Sequence, residues 1–140
     1  MKGLLAAALL GVVAIAQDAT SRSVWDGVYT QEQAQRGQAS YNQYCMACHG
    51  GSLTGGEQAP PLAGGEFLSN WNGLTVGDLF DRIRTSMPLN NPQSLNRETN
   101  AAILSYILSV NRFPTGSAEL PSRSEVLKLI RLEAERPGTK

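Results

Sequence analysis

The sequence predicts an all-α domain on three observations. Apolar residues recur at helical spacing in several segments, each opened by a capping residue. No alternating run of useful length marks a strand anywhere in the chain. After the first helical segment stands Cys45-Met46-Ala47-Cys48-His49. Residues three and four apart in it come to one side when the backbone makes a helical turn.

The chain opens with Met1-Lys2 and an apolar run from Gly3 to Ala16, closing on Ala14-Ile15-Ala16. A short positive region, an apolar stretch and a small-x-small site make a secretory signal, expected over residues 1–16. The run is short for a bilayer, so an uncleaved anchor is the weaker alternative, and no stable membrane span is expected after cleavage. Residues 17–30 are an N-terminal arm with Asp26-Gly27 as its turn. Thr30 is placed to cap a helix from Gln31 to about Tyr44, with Gln33 near the capping-box position.

Gly50 to Gly73 is Gly-rich, contains Pro60-Pro61, and is expected to be loop. Thr75-Val76-Gly77-Asp78 is a capping pattern for a helix from Val76 to about Thr85, with Leu79, Phe80 and Ile83 as its apolar face. Pro88 forbids its continuation through Met87. Asn96 or Ser94 caps a third helix through Val110, apolar on more than one side and so expected between two surfaces. Ser122 or Ser124 starts a last amphipathic helix to about Glu135. Its Val126, Leu129, Ile130 and Leu127 are expected to pack on the rest. The expected organisation is a domain over 31–116 followed by a C-terminal amphipathic helical extension over 117–140.

Cys-x-x-Cys-His is the attachment signature of c-type haem. On one helical turn Cys45 and Cys48 can form thioethers with the haem vinyl groups while His49 lies beneath the iron. A structural zinc site needs four ligands, and the chain has two Cys and one His. A thioredoxin-like pair needs a preceding strand, where this sequence reads as helix. A plain disulfide leaves His49 unexplained. One covalent haem c follows, and with it a core centred on the cofactor. Without the cofactor a chain this small, its cysteines committed, is expected to fold poorly.

A low-spin electron carrier needs a sixth ligand, His or Met. His49 is the sole histidine. Met1 leaves with the signal and Met46 is tethered between the cysteines, so Met87 is the candidate, ahead of a core-filling role. With both axial positions filled and no acid/base set in view, the expected function is single-electron transfer rather than catalysis. The formal charge is balanced, 12 basic against 12 acidic. Loss of Lys2 and gain of two propionates make the mature protein modestly acidic. No clustered basic face suggests nucleic acid. Between His49 and Arg82 the charges are all acidic, Glu57, Glu66, Asp78 and Asp81, either a solvated surface or a docking face.

From about Gly37 to Asn111 the chain resembles a class I c-type cytochrome. The resemblance rests on Gly37-x-x-x-Tyr41, Cys45 to Gly50, Pro60-Pro61-Leu62-Ala63-Gly64, Thr85-Ser86-Met87-Pro88 and Ala102 to Ile107. It implies three core helices around the haem, the first and third crossing near Gly37, Tyr41 and Tyr106. It also implies that the Pro60 carbonyl accepts the Nδ1 proton of His49, and that Trp71 lines the haem, with core packing as that residue's other reading. In this family haem is attached outside the cytoplasm, which agrees with an exported, periplasmic protein. The arm and the Pro-Pro-Leu-Ala-Gly loop are similar to cytochromes associated with exported quinoprotein dehydrogenases. The family's ring of lysines is missing, since only Lys2, Lys128 and Lys140 exist. The partners implied are a redox protein donor and acceptor, a dehydrogenase or a terminal oxidase among them. The alternatives are an electron-accepting subunit of a dehydrogenase complex and a haem-based gas sensor.

Overall fold

The structure is a computed structural model and describes residues 22–139; the expected signal lies outside them. The elements in chain order are β1 (Arg22–Ser23), a 3-10 turn (Val24–Asp26), α1 (Gln31–Tyr44), α2 (Met46–His49), α3 (Gly65–Trp71), α4 (Val76–Ser86), α5 (Arg97–Val110), α6 (Ser124–Leu127) and β2 (Ile130–Arg131). The fold is all-α apart from the short parallel ladder of β1 on β2, in register Arg22 with Ile130 and Ser23 with Arg131.

Each main helix starts where its cap directs. Thr30, Thr75 and Asn96 accept hydrogen bonds from the backbone N–H groups of Gln33, Asp78 and Thr99. Of these three, Thr75 alone closes a full capping box, Asp78 reaching back to its N–H at 2.9 Å. Gln33 instead turns to the tail, donating to Leu120 O at 2.9 Å and accepting from Leu120 N at 2.7 Å. A buried amide satisfied on both atoms by one backbone residue ties α1 to the chain beyond α5.

α1 and α5 cross in close contact. A Cβ added at Gly37 would run into the Ala102 carbonyl, so the absent side chain lets the backbones meet. Beside the crossing the Tyr41 and Tyr106 rings lie 5.3 Å apart. α5 buries Asn100 to Ser105, Ile107 and Leu108. It is enclosed on several sides, as its apolar pattern requires.

Two segments differ from expectation. The Gly-rich stretch contains a helix, α3, whose Phe67 is buried. Burial of Phe67, with Leu68 and Trp71 against the core on the same turns, outweighs the flanking glycines. The C-terminal helix is a single turn rather than a run to Glu135. Leu127, Ile130 and Leu132 are fully buried while Leu129 is half exposed. Buried residues two apart at 130 and 132 follow extended periodicity, and extension lets this segment satisfy backbone groups on both sides. It pairs with β1, while Leu132 N donates to Leu74 O and Gly73 N donates to Leu132 O. The arm closes over it: Trp25 Nε1 donates to Glu133 O at 2.9 Å and its ring meets Phe113 edge-on at 4.8 Å. Among the described residues no helix is long and apolar enough to cross a membrane.

Candidate haem site

The turn carrying Cys45, Cys48 and His49 grows directly from α1. Cys45 caps that helix, its N–H donating to Tyr41 O, and α2 follows without a break. The N–H groups of Cys48 and His49 both donate to Cys45 O, at 3.2 and 3.0 Å, the tight turn that brings these three side chains to one side. Tyr41, buried at the helix crossing, donates its hydroxyl to Gly50 O at 2.7 Å and fixes the exit of the turn. Burial holds that hydroxyl well above the usual phenol range.

His49 is buried, and its Nδ1 lies 2.8 Å from Pro60 O. With Nδ1–H donated to the carbonyl, Nε2 is the nitrogen that keeps a lone pair for a metal. The loop carrying Pro60 is held at both ends: Gly55 N donates to His49 O at 2.9 Å and Leu62 N donates to Leu53 O at 2.8 Å. Beyond them Asn111, at the end of α5, accepts from Gly64 N at 3.0 Å and donates to Leu62 O and Ile107 O. Sequence reasoning passed over Asn111. An Asn closing a helix is ordinary locally, and its partners lie 47 and 49 residues away.

Cys45 and Cys48 are both free thiols, the first half-buried and the second exposed. Burial, with a lesser contribution from Cys48, pushes the Cys45 thiol up to about 11. Met87 caps α4, its N–H donating to Ile83 O at 2.9 Å, and its side chain lies half-buried against the core. Trp71 ends α3, half-buried, with its ring centroid 6.4 Å from that of Phe67.

The donor set fits haem c. Among the described residues no three His, Cys, Asp or Glu side chains cluster to hold a bare metal ion. Two unpaired thiols, one imidazole with its Nδ1 already engaged, and the thioethers of Met46 and Met87 are what remain. Cys45, Leu62, Leu68, Trp71, Met87 and Leu95 are each half-buried and packed against the core.

The family model of cytochrome c oxidase, cbb3-type, subunit III matches residues 32–107, which include every one of these side chains except Asn111. The chain belongs to this cytochrome family. It is a class I c-type cytochrome domain, and a haem-based electron carrier. Among solved structures, the sulfane dehydrogenase SoxCD from Paracoccus pantotrophus contains a chain similar to this cytochrome. The two are 22% identical, with a TM-score of 0.51 over 88% of this chain and 67% of that one. The likeness is one of fold. No curated protein matches the cytochrome.

The acidic stretch is less free than its sequence suggests. Asp78 belongs to the α4 cap, where the Thr75 hydroxyl and N–H hold its carboxyl below the usual range. Asp81 accepts from Ser124 Oγ at 2.7 Å and lies 3.5 Å from Lys128 Nζ. Glu57 and Glu66 remain exposed beside Pro60 and Pro61.

Proposed function

We propose that this cytochrome is an exported, periplasmic single-electron carrier with one haem held by Cys45 and Cys48 and ligated by His49 and Met87. The observation that carries the reading is His49, buried in the attachment turn with Nδ1 on Pro60 O and Nε2 left for iron. Bound by Cys45, Cys48, His49 and Met87, haem would supply a one-electron couple between a reduced donor and an oxidised acceptor. The residues keep that couple in place. Pro60 fixes the imidazole and strengthens it as a ligand, and Asn111 fixes the loop that presents Pro60. Trp71 lines the haem.

Met87→Ala tests the assignment. The haem should stay attached and the fold largely survive. The near-infrared sulfur-to-iron band should vanish, the potential should fall, and the reduced protein should bind carbon monoxide. Met46→Ala should change none of these. A band that survives in the first variant and disappears in the second refutes the ligand set.

A second reading makes the cytochrome the electron acceptor within a dehydrogenase complex. The fold likeness to a chain of a sulfane dehydrogenase favours it. Co-purification with a large dehydrogenase separates a subunit from a free shuttle.

A further inference from the structure

The family model ends at residue 107, yet beyond it Leu127, Ile130 and Leu132 are buried in the same core. Their main seat is α4, the helix that delivers Met87. Leu127 and Ile130 are buried there, and the Lys128 backbone comes so near that a Cβ built at Gly77 would lie 2.6 Å from Lys128 N. One turn on, Asp81 takes the Ser124 hydroxyl at 2.7 Å and faces Lys128 Nζ at 3.5 Å. On the far side of β2, Leu132 is bonded to Leu74 and Gly73, just ahead of the α4 cap. The helix is thus gripped just ahead of its cap, at Gly77 in its first turn and at Asp81. Met87 follows on the same unbroken ladder, its N–H on Ile83 O.

We infer that the C-terminal segment is a strut that positions Met87, with the Ser124 and Lys128 side chains acting on the iron ligand through Asp81, and the Lys128 backbone through the Gly77 contact. The inference rests on Met87 being the axial ligand. An iron–thioether bond is weak enough for an added ligand to displace. Displacement requires the loop after α4 to swing outward, and a helix clamped along its outer side resists that movement. A tail serving stability alone would lower the melting temperature equally but leave the ligand exchange at folded temperatures untouched.

The experiment titrates imidazole into the full-length ferric holoprotein and follows the near-infrared sulfur-to-iron band. Three variants are compared at a temperature where circular dichroism shows all of them folded. They are Gly77→Ala, the double variant Ser124→Ala/Lys128→Ala, and a chain stopped before Ser122. Imidazole should bind about tenfold more tightly to each, the size of effect that loss of one contact network carries. Gly77→Ala is the sharp case, because alanine within a helix ordinarily stabilises it. Wild-type imidazole affinity in all three, with only the melting temperature lowered, overturns the strut. Absence of the band from the parent protein, or its survival in Met87→Ala, overturns the ligand assignment and the strut together, so the two failures are read from different samples.

Discussion

Asn111 contributes to the site without touching it. Its amide joins the end of α5 to Leu62 and Gly64, and those residues hold the loop whose Pro60 carbonyl receives His49. Asn111→Ala removes three hydrogen bonds at a buried position and should cost about 2 kcal/mol, read from the urea midpoint at unchanged slope. Because His49 then loses a fixed orientation, the midpoint potential should shift as well, which a purely structural loss would not produce. The proposed haem contacts come from the sequence residue by residue: the motif names Cys45, Cys48 and His49, and elimination leaves Met87 as the proposed sixth ligand. Asn111 was not legible, since its meaning depends on partners that only the folded chain brings near. The destination of Gln33 was hidden for the same reason, a capping position whose side chain serves Leu120 instead.

At the level of the helices, two contacts can be tested separately. Gly37→Ala should destabilise by about 3 kcal/mol, although alanine is the better helix former, because the Cβ meets the Ala102 carbonyl and neither backbone can retreat. Thermal melting of the holoprotein measures it. Thr75→Ala should cost about 1 kcal/mol at neutral pH through the lost cap. Asp78 has a depressed folded pKa, so its share is present above the ordinary carboxylate pKa of about 3.9 and lost as pH falls through the folded value. The gap between parent and variant should therefore narrow below about pH 4, as melts at stepped pH would show. Helices opened by Thr30, Thr75 and Asn96 were readable because cap and apolar period agree. α3 and the tail were not, because glycines flank the one and the other changes from helical to extended periodicity within six residues, Leu127 to Leu132.

Across the whole molecule, charge is spent inward as well as outward. Asp78 and Asp81 serve α4, which leaves Glu57 and Glu66 as the exposed acidic pair beside the Pro60 loop. Redox encounters are small and steered by such charges. Electron transfer with a basic partner protein should slow as salt rises, and Glu57→Gln/Glu66→Gln should lower the second-order rate about threefold at low ionic strength with less effect at high. Stopped-flow rates across a salt series decide it; a flat series would place docking elsewhere. Buried apolar surface in the tail, Leu127, Ile130 and Leu132, contributes about 2 kcal/mol per side chain as an upper figure. That exceeds the exposed ion pair of Arg36 with Glu119, of a class worth at most about 1 kcal/mol.

The parallel pairing of the first strand with the last has a mechanical meaning. Arg22 leads into β1 and Arg131 leads out of β2, and with the strands running the same way these lie at opposite ends of the ladder. Tension between the two leads therefore pulls the strands lengthwise past each other, loading their hydrogen bonds together in shear rather than unzipping them one by one. The bond from Trp25 to Glu133 shares that load. A pull on the ends of the fold meets its first resistance in this clasp, before it reaches the crossing of α1 with α5 on which the Cys45–His49 turn is built.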